Sequence, residues 1–280
     1  MNGPTNAALF ELALDAARAG AAVIRDATPR VRSIEWQVKR PADFVSEVDL
    51  AAEAAVLGVI RKRMPEAAIL AEESGASPAA AGAPGAGVTF VVDPLDGTTN
   101  FLHGYPEYAV SVGAVVGGEP VAGVVIDVAL NEEFTATKGG GAFSNGQPIR
   151  VSAIEEPRRA LIGTGFPFTK LEAIDQYANE LRAVMRGAAG IRRAGAAALD
   201  LAAVAAGRFE AFWETVLSPW DIAAGLVLVR EAGGVVTDYS GGHCPVARTS
   251  IVAGNPAMQS WLRSVVTSTD HRTLNTHHPE

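Results

Sequence analysis

The sequence predicts a layered α/β (α+β layered) fold made of two subdomains, and three features support that fold class. The chain has 280 residues, which is enough to bury a sizeable core. Antiparallel-looking strands dominate the first half, whereas strands alternate with helices from about residue 158 onwards. We therefore predict an N-terminal α+β subdomain over residues 1–157, a C-terminal α/β subdomain over residues 158–267 and a disordered tail over residues 268–280.

The chain begins with two predicted helices and a strand between them. Residues 5–26 carry apolar side chains near helical spacing, and Thr5 is a suitable N-cap. Residues 31–38 are strand-like. A second helix is predicted to start near Asp49 and to stop before Pro65, because proline cannot continue a helix.

The next segment predicts a loop and then a run of strands. Residues 75–87 are rich in Gly, Ala, Ser and Pro, which is typical of a surface loop. Residues 88–92 form a short apolar run of the kind that makes a buried strand. Further strands are predicted at residues 108–117, 120–128 and 132–137, and Asn145-Gly146 is a hairpin signal.

The second half alternates between strand-like and helical patterns. This alternation is typical of an α/β subdomain. The predicted strands cover residues 160–163, 209–213, 234–237 and 250–253, and the predicted helices cover residues 172–187, 196–206, 219–232 and 256–266.

Composition and charge exclude several classes of function. The net charge is −8 and no basic run interleaves with aromatic residues, so we expect no nucleic-acid surface. No apolar stretch reaches the ~18 residues of a membrane span, and no signal peptide is evident. Cys244 is the single cysteine, so no internal disulfide can form and a cytoplasmic location fits.

Several acidic residues stand in clusters, and each cluster has an ordinary structural explanation. Asp43 and Asp49 could be loop and cap residues before a helix. Glu72 and Glu73 follow a strand-like run, where acidic side chains are commonly solvated. Asp221 lies in the first turn of a predicted helix, where it would stabilise the helix dipole.

The segment around Asp93 and Asp96 is harder to explain structurally. A buried strand runs directly into these two carboxylates, Pro94 stiffens the turn, and Gly97 permits close backbone approach. Residues 98–100 then offer hydroxyls and backbone N–H groups at a predicted helix start, which suits an anion. Hard cations such as Mg²⁺ prefer oxygen ligands. The segment therefore predicts a metal–phosphate site.

This segment and five others resemble the inositol monophosphatase family. The similarity spans roughly residues 7–266 in the expected order and is greatest to the bacterial inositol monophosphatases. The matching segments are residues 93–101 (DPLDGTTNF), residues 220–225 (WDIAAG) continuing to residues 231–234 (EAGG), residues 72–74 (EES), residues 39–49, residues 163–168 and residues 192–201.

The resemblance implies an αβαβα sugar-phosphatase fold that binds two or three Mg²⁺ ions. It implies that Glu72, Asp93 and the backbone carbonyl of Leu95 hold the first ion. It also implies that Asp93, Asp96 and Asp221 hold the second ion, and that Glu72 holds a weaker third one. Carboxylates from such distant segments can meet only in the folded chain, where a metal ion would hold several oxygen ligands.

The resemblance also assigns catalytic and substrate-binding residues. Glu72, Thr98 and Asp49 form the predicted catalytic set, in which Thr98, paired with Asp49, could orient the attacking water or take its proton. Glu214 lies where the family places a carboxylate that binds inositol hydroxyls. The full implied substrate set is Asp96, Gly97, Thr98, Thr99, Ala197, Glu214 and Asp221.

We therefore predict a Mg²⁺-dependent phosphatase that hydrolyses a small polyol phosphate monoester, with inositol monophosphate the best candidate. Histidinol phosphate, fructose 1,6-bisphosphate and 3′(2′),5′-bisphosphate nucleotides are alternatives on the same fold, and Glu214 favours inositol. A non-enzymatic binding protein would be expected to lose its ligands, and Glu72, Asp93 and Asp221 are all present. A homodimer is expected from the resemblance.

Overall fold

Five layers make up the fold, in the order helices, sheet, helices, sheet, helices. The computed structural model describes residues 4–40, 43–78, 87–168 and 170–268, with only the backbone of Arg40 and Asp43. The helices are α1 (Asn6–Ala27), α2 (Glu47–Arg63), α3 (Thr98–Leu102), α4 (Ile174–Met185), α5 (Ala197–Ala205), α6 (Pro219–Glu231) and α7 (Pro256–Thr267).

Two large sheets and one hairpin contain the strands. The hairpin pairs β1 (Trp36–Arg40) with β2 (Asp43–Ser46). The eight-stranded sheet has the order β10-β9-β8-β7-β6-β5-β3-β4, and the five-stranded sheet has the order β12-β11-β13-β15-β14. The remaining strands are β3 (Ala68–Ala71), β4 (Gly75–Ser77), β5 (Val88–Asp96), β6 (Ala109–Val116), β7 (Glu119–Asp127), β8 (Glu132–Thr137), β9 (Gly141–Ser144), β10 (Gln147–Pro148), β11 (Leu161–Thr164), β12 (Gly190–Arg192), β13 (Ala211–Leu217), β14 (Val235–Thr237) and β15 (Thr249–Gly254).

Alternating side chains along the strands define separate apolar layers. Val110 and Val112 of β6 pack with α1 and α2, whereas Ala109 faces the layer of α5 and α6. In the five-stranded sheet, Phe212 faces α5 and α6, and Trp213 faces the outer layer of α4 and α7. Because a strand alternates its faces, each sheet is covered by helices on both sides.

The α5–α6 layer lies between the two sheets, and α6 approaches the larger sheet very closely. A Cβ atom added at Gly113 of β6 would lie 2.7 Å from the Cβ of Ala223. One added at Gly123 of β7 would lie 2.9 Å from the Cα of Ala224. The two glycines on neighbouring strands therefore allow α6 to pack close against the sheet. Asp221 lies in the first turn of that helix.

The predicted fold class is confirmed, and most predicted elements appear within two or three residues of their expected bounds. Thr5 caps α1 as predicted, accepting a hydrogen bond from the N–H of Ala8 at 3.2 Å. The predicted hairpin at Asn145-Gly146 joins β9 to β10. Because all strands of the eight-stranded sheet precede residue 157 and all strands of the smaller sheet follow it, the two-subdomain division stays a reasonable prediction.

One local prediction was wrong and one short strand was missed. Residues Thr28–Ser33 form a 3-10 helix and not the start of a strand, because Pro29 fixes a φ angle that suits a helix start. Helix α2 begins at Glu47, with Ser46 as its N-cap, which agrees with the predicted start near Asp49. The three-residue strand β12 was not predicted.

Two predictions fall wholly or partly on residues that are not described. The predicted loop over residues 75–87 begins with strand β4, and residues 79–86 lie outside the described residues. The predicted disordered tail lies outside them from residue 269 onwards. Among the helices that are described, none has the length and apolar character needed to cross a membrane.

Candidate functional site

The end of β5 carries two of the predicted metal ligands. Asp93 is 2% exposed, and its Oδ1 accepts a hydrogen bond from the N–H of Leu95 at 3.1 Å. The pairing of β5 with β6 is irregular between Asp93 and Asp96. Such an irregularity, close to a β-bulge, commonly re-aims side chains next to active sites. Asp93 and Asp96 therefore leave the sheet at the same point.

Gly97 turns the chain from β5 into the short helix α3. Its φ angle is +89°, a conformation that favours glycine. A Cβ atom there would also lie 2.7 Å from the backbone oxygen of Glu107. Both facts require glycine at this position, and the turn brings Thr98 and Thr99 to the wall of a cavity.

Thr98 joins the end of β5 to the start of α2. Its Oγ1 lies 2.9 Å from Oδ1 of Asp49 and 3.0 Å from the carbonyl oxygen of Leu95. A hydroxyl has one proton, so the two acceptors share it. Asp49 is 1% exposed and is held from the other side by Ser46. The predicted pair of Thr98 and Asp49 is therefore in hydrogen-bond contact.

Glu72 and Glu73 lie just after β3, beside β5. The N–H of Glu72 donates to the carbonyl of Val92 at 3.1 Å, which anchors this segment along β5. Lys39 of the β1–β2 hairpin contacts both carboxylates, at 3.5 Å from Glu72 and 2.5 Å from Glu73. Glu72 is also hydrogen-bonded to Asp93.

Asp96 is held by the first turn of α5. Its Oδ2 accepts a hydrogen bond from the N–H of Ala198 at 2.7 Å, and the N–H of Ala197 contributes a second bond. The structure thus places Ala197 against Asp96. This contact links the β5 turn to the layer between the sheets.

Asp221 approaches the same region from the first turn of α6. Its Oδ2 accepts a hydrogen bond from the N–H of Ser218 at 2.6 Å. Ser218 is the N-cap and Pro219 the first helical residue, as the sequence predicted.

The electrostatics of these carboxylates are mutually unfavourable. Burial raises the pKa of Asp93 well above its usual value, and the charges of Glu72, Asp96 and Asp221 raise it further. Burial followed by the charge of Asp96 raises the pKa of Asp221 in the same way. The pKa of Asp96 is raised to about 7, mainly by burial. Burial also raises the pKa of Glu72, which Lys39 opposes.

This donor set fits hard divalent cations. Burial raises the pKa of all four carboxylates, and the charges of neighbouring carboxylates raise those of Glu72, Asp93 and Asp221 further, so a cation among them would relieve a cost that the protein alone does not offset. Their oxygens are the ligand type that Mg²⁺ prefers. Within the described residues, no three His, Cys, Asp or Glu side chains already form a closed coordination group. The carboxylates are neighbours, not a completed shell.

The predicted substrate residue Glu214 lies on β13, at the far side of the site. Burial raises its pKa to about 8, and the positive charge of Arg193 opposes that rise. Its carboxylate lies directly over Gly165, where any larger side chain would collide with it. Glu214 lines a small cavity of about 30 Å³ and not the larger one beside Thr98.

Two larger cavities have different chemistry. One, of about 680 Å³, lies beside Phe101 and Tyr108, and none of the predicted site residues lines it. The second, about 330 Å³, lies beside the end of β5. It is lined by Phe44, Glu72, Gly97, Thr98, Thr99, Asn100, Phe168, Arg193 and Gly195.

Sequence reasoning missed two cationic residues of the site, namely Arg193, which lines this cavity, and Lys39, which contacts Glu72. Lys39 and Arg193 both lie in segments that resemble the family, yet neither was assigned a role. The signal was available, because an acidic protein that binds phosphate needs positive charge near the site. The sequence alone does not show which of its 23 basic residues lie near the site.

Comparisons with known proteins identify the family of the chain. The model of the inositol monophosphatase family matches residues 6–271. A Pseudomonas aeruginosa protein named Nus factor SuhB is 47% identical over 88% of this chain and 91% of its own. The inositol-1-monophosphatase of Rhizobium meliloti is 46% identical over 89% of this chain and 92% of its own. The solved structure of the extragenic suppressor protein suhB from Bartonella henselae is 41% identical, with a TM-score of 0.88, and covers 92% of this chain and 98% of its own.

Proposed function

The chain belongs to the inositol monophosphatase family, and from that premise we propose that this phosphatase hydrolyses a small polyol phosphate monoester with Mg²⁺, inositol monophosphate being the best candidate. The observation that carries the proposal is the convergence of Glu72, Asp93, Asp96 and Asp221 beside the cavity of Thr98 and Thr99. Four carboxylates from three separate segments of the chain have no structural reason to meet without a cation.

The proposed metal ligands are Glu72, Asp93, Asp96, Asp221 and the carbonyl of Leu95. Bound Mg²⁺ would supply a Lewis acid that lowers the pKa of water and neutralises charge developing on the phosphoryl group. Two or three ions are proposed, in line with the expectation from the sequence.

The chain's own residues would position the reactants. Asp49 and the carbonyl of Leu95 share the proton of Thr98, so the Thr98 oxygen, at the wall of the cavity, keeps accepting capacity with which it would orient an attacking water. Gly97, Thr98 and Thr99 would hold the phosphate through hydroxyl and backbone N–H groups. The backbone N–H groups of Ala197 and Ala198 keep Asp96 fixed while it faces the sugar.

Glu214 would select the polyol. A carboxylate can accept hydrogen bonds from two neighbouring hydroxyls, each worth about 1.5–3 kcal/mol. Because burial raises the pKa of Glu214 to about 8, the ionised form grows as pH rises through that value. The KM for inositol 1-phosphate should therefore fall as pH rises from 7 to 9. Over the same pH range, the KM for p-nitrophenyl phosphate should change less.

The primary test is metal-dependent hydrolysis across a substrate panel. Phosphate release would be measured with inositol 1-phosphate, histidinol phosphate, fructose 1,6-bisphosphate and adenosine 3′,5′-bisphosphate, with chelator and then with added Mg²⁺. We expect no activity in chelator, recovery with Mg²⁺, and the highest kcat/KM for inositol 1-phosphate. Full activity in thoroughly chelated enzyme would exclude the metal mechanism, and a preference for another ester would change the substrate.

Asp93 offers the sharpest single substitution. Asp93→Asn removes a charge that we propose enters two coordination spheres, with almost no change of volume. We expect kcat to fall by roughly 1000-fold or more with the fold intact by circular dichroism. Activity within about tenfold of wild type would show that Asp93 is not a metal ligand.

A second role beside catalysis is favoured by one observation, the 47% identity to a protein named Nus factor SuhB. The Asp93→Asn variant separates the two roles. If it restores growth to a Pseudomonas aeruginosa strain that lacks that relative, the chain shares a role that needs no hydrolysis. If only the wild type restores growth, the shared role is catalytic.

We also propose a homodimer in the cytoplasm. Twofold assemblies are the commonest among soluble oligomers. Light scattering at micromolar concentration should give twice the mass of the chain, and a monomer mass throughout would contradict this.

A further inference from the structure

Arg193 is an exposed cation held on an aromatic support. Its guanidinium carbon lies 5.1 Å from the ring centre of Phe166 and 5.1 Å from that of Phe168. The two rings meet edge to face at 5.6 Å, and Phe166 also packs against Tyr177. These contacts use the face of the guanidinium, so the N–H groups along its edge stay available.

No described residue satisfies those N–H groups. Among the described residues, Arg193 forms no ion pair within 4.0 Å and no hydrogen bond as a donor, although several acids surround it. Its neighbour Arg192 differs, because it donates to the carbonyl of Ile191 at 3.0 Å. Arg193 is thus a preorganised donor without an acceptor in the described part of the chain.

Arg193 stands between the two polar cavities of the site. It lines the 330 Å³ cavity together with Thr98 and Thr99. Phe166, on which it rests, lines the small cavity of Glu214. Asn100 fixes this loop by donating to the carbonyl of Ala194 at 3.0 Å, so the loop is tied to the predicted phosphate turn.

The charges around Arg193 restrict what it can bind. Its positive charge acts to lower the pKa values of three nearby carboxyl groups, those of Asp96, Asp200 and Glu214. A second phosphate on the substrate would be attracted by Arg193 but would lie against the buried acids Glu214 and Asp200, whose raised pKa values show that a further negative charge is unfavourable there. A neutral hydroxyl has no such conflict, because its oxygen accepts from an arginine while its proton is donated to a carboxylate.

We propose that Arg193 is a specificity-determining residue that donates to a hydroxyl oxygen of the leaving group, opposite Glu214, so that together they select an uncharged polyol. This inference rests on the proposed function and deepens it. Phe166 and Phe168 position the guanidinium, and neighbouring hydroxyls of the ring bridge the gap of more than 4 Å between Arg193 and Glu214.

The test compares Arg193→Gln with the matched control Arg192→Gln. Each variant would be assayed with Mg²⁺ on inositol 1-phosphate and on p-nitrophenyl phosphate, which has no hydroxyls to read. We expect Arg193→Gln to lower kcat/KM for inositol 1-phosphate about 10-fold, mainly through KM, with a much smaller loss on p-nitrophenyl phosphate. Arg192→Gln should match wild type on both substrates.

Three outcomes would overturn the inference. An equal loss on both substrates would make Arg193 a structural residue, and no loss on either would remove it from the site. A larger loss on fructose 1,6-bisphosphate than on inositol 1-phosphate would show that Arg193 binds an anion. Failure of the proposed function looks different, because wild type would then hydrolyse p-nitrophenyl phosphate but not inositol 1-phosphate.

Discussion

The first turns of α2 and α6 are built alike and differ in what they leave available. Each begins with a serine N-cap and has an aspartate three residues later, which closes a capping box with the serine backbone. In α2, both oxygens of Asp49 are occupied, Oδ1 by Thr98 and Oδ2 by Ser46. In α6, only Oδ2 of Asp221 receives a hydrogen bond from a described residue.

This difference teaches that a capping aspartate can serve a helix and a ligand at once, and that counting its oxygens separates the two uses. Both oxygens of Asp49 already accept hydrogen bonds, so we propose that Asp49 acts through Thr98 and not as a metal ligand. Oδ1 of Asp221 accepts no hydrogen bond from a described residue, so we propose that it binds the cation. Burial and the nearby charge of Asp96 raise the pKa of Asp221, which disfavours its charged form when no cation is present. The same motif therefore predicts a ligand at α6 and a positioning residue at α2.

The largest expected effect is on turnover by the two Asp→Asn variants. Asp221→Asn should lower kcat about 1000-fold, because it removes a proposed metal ligand. Asp49→Asn should lower kcat only about 10–100-fold, which is the usual cost of losing an outer partner that orients a catalytic group. Steady-state kinetics at saturating Mg²⁺ would measure both. Equal losses would break the distinction between the two helix starts.

The next effect is on stabilisation by the metal. A ligand at 100 times its Kd stabilises the folded state by about 2.7 kcal/mol. Thermal unfolding with chelator and with Mg²⁺ should show this gain in wild type and in Asp49→Asn. Asp221→Asn should show a clearly smaller gain. If Asp49→Asn alone loses the stabilisation by Mg²⁺, the metal ligand is Asp49 at the start of α2 and our assignment to Asp221 is wrong.

The smallest effect is on stability without metal. Ser46→Ala should cost about 1 kcal/mol, because the Ser46 hydroxyl contacts both the N–H of Val48 and Asp49. Ser218→Ala should cost less, about 0.5 kcal/mol, because the bond at 2.6 Å there is made by the backbone N–H, which alanine keeps, and only the capping-box contact of the hydroxyl is lost. Denaturant unfolding in chelator would measure both changes. A larger cost at Ser218 would reverse the comparison.

Local chemistry explains how much of this site could be predicted. Asp93, Asp96 and Gly97 lie in one continuous segment, so the sequence alone predicts that they belong to one metal–phosphate site. The sequence does not show that both oxygens of Asp49 accept hydrogen bonds, because Thr98 is 49 residues away and contacts Asp49 only in the fold. The strand predicted over residues 209–213 would leave Glu214 at its end, whereas β13 runs from Ala211 to Leu217 and Glu214 lies in its middle. The packing of Glu214 against Gly165 depends on the pairing of β11 with β13, which the sequence does not show.

The errors in the fold have similarly physical causes. The apolar residues of 31–38 suggested a strand, but Pro29 starts a 3-10 helix that extends to Ser33. Strand β12 has only three residues, too few to show a period of two, and it exists because β11 offers it an edge. Short elements of this kind are set by neighbours and not by their own sequence.

The glycines beneath α6 have a consequence for engineering this protein. Gly113 and Gly123 set the height of α6 above the larger sheet, and α6 carries Asp221 while the neighbouring strand β5 carries Asp93. The separation of the two carboxylates is therefore fixed by two residues that touch neither of them. Replacing sheet glycines with β-branched residues is a common route to higher stability. Here a side chain at either glycine would push α6 away from the larger sheet and shift Asp221 relative to Asp93. A thermostabilised variant should therefore keep both glycines.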